Sequence, residues 1–552
     1  MSKDMSASFE GLRKQAKRWL KAIRLGDAEA RTKFDALVPR HSASVGLREV
    51  QQALARERGF ESWAQLKEQL EIDGLAAAGG DALLDELLNK GCICYGDDWP
   101  SNWRRAERIL ARHPELARRT IHGAALCGEL ERVRELLDAK PELVNEKGGP
   151  RGWEPLLFVC YGRLPNARAA EQSLAIARLL LERGADPNAH FSSGDDARYR
   201  FTALTGAMGQ GELGQPEHPH AEPLARLLLE AGADANDSQG LYDTCLRGDD
   251  TRWLELLSAF GLDNRRLNWS REESPESTGN LSFLSSYAAS HGQPKRLAWL
   301  LAHGADPNAR SIYSAKTCYE SALLAGHGEL AQLLLEHGAR ASVLEGVDAF
   351  IAAVVRGDRE AAAALADAHP EYLEASQPLV EAANRGDAST VRTLLELGMD
   401  PNRQGKYYLA LNAGSAHRAV CEALLEHGAD PRGRTYGGTA AGWALHGKHL
   451  EQARFLAEQS RLLLDAIMTG HVSLASELLA SDAEAVHERS PTGNTPLHLL
   501  PDDPDTAEVL LVLLLDAGAD PGALNAEGQT PSQALEAMGR DAVVDRLEAR
   551  LP

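Results

Sequence analysis

Residues able to do chemistry are present in this sequence, but their spacing does not suit it. Gly447-Lys448 comes nearest to a phosphate-binding loop. His449 stands where such a loop needs Ser or Thr, and the glycines before it are wrongly spaced. Neither a Gly-x-Ser-x-Gly elbow nor a His-Glu-x-x-His pair occurs. Cys92-x-Cys94 is tighter than a usual zinc pair and has no second pair near it in sequence, so it reads as incidental thiols. His218-Pro-His220, flanked by Glu217 and Glu222, is the densest set of possible ligands. It lies in an insertion with two prolines and three glycines and is expected to be a solvated loop. An enzyme or metal site built from inserted loops near His218 and His220 is the alternative. His446-x-x-His449 has counterparts at His327 and His471, also beside glycine, which marks a repeat feature. Adjacent carboxylates such as Asp502-Asp503 do acid–base work only where a pocket splits their pKa values. No catalytic residue, metal ligand or cofactor is predicted, and the chain is not expected to be an enzyme.

Composition narrows the classes further. Of 552 residues, 43% are hydrophobic and 25% charged, enough to bury a core. A net charge of −21 argues against general nucleic-acid binding, which needs surplus Lys and Arg to neutralise phosphates. Apolar runs such as 509–515 fall far short of the roughly 20 residues that cross a bilayer, so no membrane span is expected. No apolar stretch precedes the first basic helix, and the seven cysteines are scattered. Both features lead to an expectation of a reducing, cytoplasmic setting.

What must position any functional residue is a repeat. Ala177-Arg-Leu-Leu-Leu-Glu-Arg-Gly184-Ala-Asp-Pro-Asn188 returns as 227–236 and 300–308, with weaker copies ending at Gly338, Gly398, Gly428 and Gly518. In all seven, leucines stand four and three residues before the glycine. With degenerate copies, thirteen such helices run from Leu130 to about Arg540, a mean spacing of about 34 residues. The leucines predict an apolar stripe facing neighbouring helices. The glycine predicts a left-handed helix end, and His303, His337 and His427 fall in the last turn, where a donor suits the negative pole. Asp-Pro-Asn then opens a turn. Thr495-Pro496-Leu497-His498 and Thr530-Pro531 supply an N-cap hydroxyl followed by proline at the first helical position. Each unit therefore reads as turn, short helix, turn, longer helix.

Gly184-Ala-Asp-Pro-Asn188 and Thr495-Pro-Leu-His498 resemble ankyrin-repeat signatures, over roughly residue 76 to the end. The strings 148–157 and 236–242 are similar to a subset of bacterial ankyrin-repeat proteins in which a helical segment, here around 53–63, precedes the repeats. That resemblance implies an all-α ankyrin solenoid of about twelve or thirteen units and a binding role, with no chemistry. Many units depart from it by lacking the Thr-Pro-Leu-His start or by exceeding the usual length.

The expected organisation is an N-terminal helical region at 1–75, a degenerate opening unit at 76–120 and a repeat array at 121–552. Residues 1–73 hold 14 Lys and Arg against 11 Asp and Glu, the remainder 45 against 69. The basic stretch 9–25 either folds back on the acidic array or docks an acidic partner or nucleic acid. Insertions at 189–201, 209–222 and 264–280 are expected in exposed loops, the first and third in the projecting fingers. Tyr199, Tyr242, Trp269, Tyr313, Tyr407, Tyr408 and Tyr436 fall in or near fingers or first-helix starts, and these are the candidate partner-binding residues. Trp153 and Trp299 are assigned to the core. A monomer that binds an unknown, basic protein partner through the concave finger and first-helix surface is the expected function.

Overall fold

The computed structural model describes residues 9–38, 45–60, 63–78, 81–96, 98, 100–193, 199–212, 214–265, 279–405, 408–538 and 540–550. The chain is mostly helical. Its internal contacts divide it into two units, one of Gly74–Ala352 and one of Met1–Asp73 with Ala353–Pro552.

Within Gly74–Ala352 the short helices Ile121–Cys127, Pro155–Tyr161, Ala203–Met208, Ser238–Cys245, Asn280–Ser290 and Cys318–Leu324 each pack on the next in chain order. The longer helices Leu130–Ala139, Ala167–Glu182 and Ala221–Glu230 follow the same succession, as do Pro294–Ala302 and Gly328–Glu336. Local sequence explains the boundaries. Thr120, Thr202 and Thr317 hydroxyls accept the amides of Gly123, Thr205 and Glu320 at 3.1–3.2 Å, capping three short helices. At the other ends Gly184, Gly232, Gly304 and Gly338 take φ of 87–100°. His303 and His337 place Nδ1 at 2.7 and 2.9 Å from the carbonyls of Trp299 and Leu333, as the last-turn position predicts. Leu180, Leu228, Leu300 and Leu334 are fully buried, so the leucine stripe is the core. Trp153 is core too, but Trp299 is a correction: it is only half-buried, because it turns outward to stack on the His303 ring at 3.7 Å.

One finger departs from the helical plan. Strands His190–Ser193 and Tyr199–Thr202 form an antiparallel hairpin with Phe191 opposite Phe201. Those rings stack at 5.1 Å, and Phe191 lies on Trp153 at 4.7 Å. A cross-strand aromatic pair seated on a buried indole is what zips the insertion shut.

In the second unit, helices Phe9–Arg24, Ala28–Leu37 and Leu47–Glu57 enclose a small core of Leu12, Ala16, Leu20, Phe34, Val50 and Leu54. Arg13, Lys14, Lys17, Arg18, Lys21 and Arg24 stay exposed on the first of these helices. Leu47–Glu57 packs on the last helix, Asp541–Arg550, and Lys67 pairs with Glu536. The N-terminal region thus packs on the last helix of the same unit through its third helix. From Gln377–Arg385 the short elements continue through Ala410–Ala413, Ala440–His446, Leu463–Met468, the 3-10 turn Pro496–Leu499 and Pro531–Ala537, each packed on the next.

Successive fingers are tied by an asparagine ladder. Asn188 donates from Nδ2 to the Gly232 carbonyl at 3.1 Å and accepts the Asp234 amide on Oδ1 at 2.8 Å. Asn145 does the same to Gly184 and Asp186, Asn236 to Gly261 and Asp263, Asn308 to Gly338 and Arg340, and Asn402 to Gly428 and Asp430. The turns between paired helices also touch across units: a Cβ on Gly386 would lie 2.7 Å from the His417 ring, which only glycine permits. Asn236 is 7% exposed and also accepts from Asn280 at 3.0 Å. Asn236→Ala leaves a carbonyl, an amide N–H and the Asn280 amide without partners. The expected result is a loss of about 2–3 kcal/mol, read as a lower urea midpoint at unchanged m.

Candidate partner-binding surface

The predicted aromatic residues fall into two groups, one in each unit. In the first, Thr435 and Gly438 exchange backbone hydrogen bonds at 2.9 and 3.0 Å around a two-residue turn, Tyr436-Gly437. Both turn residues have positive φ, 49° and 81°, as such a turn requires. Tyr436 is 71% exposed, and its ring stands 5.7 Å from Tyr408 and 6.4 Å from Trp443. Trp443 is held from below by its Nε1–H, which donates to the Thr435 carbonyl at 3.1 Å. Tyr407 lies outside the described residues, as does Trp269.

In the second group the rings of Tyr242, Tyr287 and Tyr313 stand 6.4, 6.4 and 6.5 Å from the buried ring of Phe283. Tyr313 is 73% exposed, at the tip of a finger closed by Ser311 N–H to the Lys316 carbonyl at 2.8 Å. The Tyr242 hydroxyl donates to Glu212 Oε1 at 2.8 Å. Burial, followed by that hydrogen bond and the Glu212 charge, holds the Tyr242 phenol above its ordinary value. Tyr199 is exposed on the hairpin; burial raises the Tyr313 phenol, with Cys245, Tyr199 and Glu212 adding to it.

Beneath these surfaces lie polar groups that sequence reasoning missed. Asp237 accepts from the Thr202 hydroxyl at 2.7 Å and from the Thr205 hydroxyl. Asp465 repeats the device, accepting from Thr439 at 2.8 Å and Ser460 at 2.6 Å. Arg163, 7% exposed, donates to the carbonyls of Pro216, Cys160, Gly162 and Gly206 at 2.8–3.1 Å. Asp243 is fully buried, accepts from Gln239 at 3.0 Å, and has no hydrogen-bond partner for Oδ2 among the described residues. The Thr-to-Asp pairs had a signal, since each Thr caps a short helix and each Asp begins or sits in the next one. Nothing in the spacing distinguishes Arg163 or Asp243 from surface charge.

The insertion around His218 is a correction. His218 is 5% exposed, not solvated, because its amide binds the Ala207 carbonyl at 3.2 Å and Arg163 pins the neighbouring Pro216 carbonyl. Its Nδ1 accepts the His220 amide at 3.0 Å. Burial, then the Arg163 charge, pushes its pKa down to about 3. Glu217 is taken by Arg247 and Arg252, and Glu222 lies 3.5 Å from Arg226. Among the described residues no group of three or more His, Cys, Asp or Glu is placed to hold a metal ion, so the ligand set suggested by the sequence does not assemble. Cys92 is buried and its thiol is pushed up to about 12 by desolvation, while Cys94 is half-buried. His327, His449 and His471 each precede a long helix, in keeping with a repeat feature. No helix among the described residues is long and apolar enough to cross a membrane.

No family model matches the chain. Over 186 residues, 30% of this chain and 92% of the relative, it is 29% identical to the putative ankyrin repeat protein YahD of Escherichia coli strain K12. Over 57 residues, 10% of this chain, it is 47% identical to cyclin-dependent kinase 4 inhibitor B of Bos taurus, of which it spans 42%. The chain thus shares partial similarity with ankyrin-repeat proteins. Among solved structures, one chain of the complex of the predatory endopeptidase Bd0816 with immunity protein Bd3460, from Bdellovibrio bacteriovorus, is covered completely. It aligns with 32% of this chain at 19% identity and a TM-score of 0.25.

Asp243 generates a pH prediction. Burial, with the Asp237 charge adding to it, holds its carboxyl well above the ordinary 3.8. Above 3.8, and up to the folded value, the native chain keeps a proton that the unfolded chain has lost, so stability falls as pH rises through that window. Asp243→Asn keeps an acceptor for Gln239 and cannot ionise. It is expected to raise Tm at neutral pH by about 2–4 °C and to flatten the decline of Tm with pH. A scan of Tm against pH for both chains checks this.

Proposed function

We propose that the chain is an ankyrin-repeat array that binds a protein partner through the surface built by its fingers and first helices, and that it catalyses nothing. In this reading 1–75 is an N-terminal helical region, 76–120 an opening unit and 121–552 an array of about twelve or thirteen units forming a solenoid. The repeated Gly-Ala-Asp-Pro-Asn phrase, the asparagine ladder from finger to finger and the partial similarity to YahD support the fold. The excess of acidic residues in 74–552 favours a basic partner through long-range steering. The proposed setting is the cytoplasm, and the proposed active form a monomer.

One observation carries the functional reading. Tyr436 is a large aromatic residue kept in a left-handed backbone conformation and left 71% exposed over Tyr408 and Trp443. A non-glycine residue there costs on the order of 1 kcal/mol, and the exposed ring returns little burial to the fold. Exposed aromatic rings on rigid supports are what protein partners use as anchors. Tyr199, Tyr242, Trp269, Tyr313 and Tyr407 complete the proposed contact set.

The test is a quantitative crosslinking pull-down from the native cell with the full chain as bait. Tyr408→Ala with Tyr436→Ala is expected to lower recovery of the specific partner at least about 10-fold, the loss typical of two anchors, at unchanged far-UV circular dichroism. Undiminished recovery by the double variant would reject the reading.

A further inference from the structure

We infer that the group formed by Glu212, Tyr242, Tyr287 and Tyr313 is a seat for one cationic side chain, a lysine or arginine of the protein partner. The inference rests on the partner-binding reading and names the chemistry of one contact within it. Phe283, 1% exposed, forms the floor, and the three tyrosine rings stand around it at 6.4–6.5 Å with interplanar angles of 30°, 49° and 70°. Rings set at such different angles to one floor do not form a flat stack; His291 covers one face of Tyr287 at 3.7 Å, and a ring face carries the negative side of its quadrupole. Glu212 adds a full negative charge: one oxygen accepts from Tyr242 at 2.8 Å, and the side chain is exposed. Its influence reaches Tyr313 as well as Tyr242.

The backbone that delivers Glu212 is held at a cost. Gly209, Gln210, Gly211 and Gly214 all have positive φ. Gly211 lies so close to the Tyr95 ring that a Cβ would come within 2.8 Å of it, and Gln210 N–H binds the Gln215 carbonyl at 2.8 Å. A loop so constrained fixes the carboxylate beside the Tyr242 hydroxyl. Aromatic rings alone would accept an apolar side chain, and a lone surface carboxylate would stay hydrated. Their combination selects a group that is charged and fits between rings. Three of the protein's own arginines are bonded elsewhere or turned away. Arg296 is 1% exposed and donates to the Asp250 carbonyl and Thr244 hydroxyl at 2.8 and 3.0 Å. Arg310 donates to the Ala315 carbonyl at 2.8 Å. Arg200 alternates with Tyr199 on its strand and so projects from the opposite face.

The test is calorimetric titration of the full chain with hexalysine and with its fully Nε-acetylated form. Hexalysine is expected to bind at least about 10-fold more tightly than the acetylated peptide. Glu212→Gln and Tyr313→Ala are each expected to weaken it about 3-fold or more, the factor an exposed cation–ring contact supplies. Glu527→Gln, which removes an exposed acid in another finger, is expected to leave binding unchanged. Equal binding of the two peptides would overturn the seat, and so would losses from Glu527→Gln as large as those from Glu212→Gln, which signify diffuse charge. Because this titration does not use the native partner, it can fail while the Tyr408 and Tyr436 pull-down succeeds, and the reverse.

Discussion

The side-chain amide of one asparagine, met at Asn145, Asn188, Asn236, Asn308 and Asn402, is the constraint on which the rest depends. A helix that ends on a left-handed glycine leaves a carbonyl unpaired, and the turn that follows exposes an amide N–H two residues on. Asn188 meets both groups in the next finger with one planar side chain, Nδ2 giving and Oδ1 taking. Asn is the shortest side chain that carries its donor and its acceptor on separate atoms of one plane. Each bond contributes about 0.5–1.5 kcal/mol net, and the pair recurs at Asn145, Asn236, Asn308 and Asn402, so the fingers it joins are registered without a continuous sheet. Where the phrase changes, the rung changes with it. Arg432 stands in the asparagine position and donates from Nε to the Ser460 carbonyl at 2.9 Å, but a guanidinium has no acceptor to return.

A second tie runs deeper, between the starts of the short helices. The Thr202 hydroxyl accepts the Thr205 amide at 3.2 Å and gives its proton to Asp237 at 2.7 Å, so one group both caps its own helix and binds the next unit. Thr439 does the same for Gly442 and Asp465. Burial raises the carboxyls of Asp237 and Asp465 while the hydroxyl and amide donors lower them. These acids are therefore a compromise. They hold neighbouring helices in register, and they make that register sensitive to solvent entry.

Much of this was legible because the repeat says the same thing many times. The glycine φ values, the buried leucines, the threonine caps and the histidines on last-turn carbonyls each follow from a local rule that needs only a few residues of context. The misses share a different cause. The loop of His218 is pinned at the Pro216 carbonyl by Arg163, which lies far earlier in the chain, and a solvated loop and a pinned one have the same composition. Trp299 occupies a stripe position, yet stacking on His303 draws it outward, a pair contact that periodicity does not encode. Docking of Leu47–Glu57 on Asp541–Arg550 joins elements from opposite ends of the sequence, a contact that charge pattern alone does not encode. Of the candidate aromatic residues, the sequence could place Tyr313 and Tyr436 at finger tips but could not supply the rings beneath them.

Tyrosine and phenylalanine divide the aromatic work between them. With aromatics at 5% of the chain, few rings can be left out of the core. Phe34, Phe158, Phe283 and Phe350 are fully buried, and among the described residues the aromatic side chains left exposed are Tyr199, Tyr313 and Tyr436. A tyrosine keeps its hydroxyl in water while its ring faces outward, so it tolerates exposure in the free protein better than phenylalanine and still offers a large rigid face to a partner. Each of these tyrosines sits on a finger whose backbone is fixed by the ladder or by a closed turn. Little order is then lost when a partner arrives, which is the condition under which a few rings can carry binding.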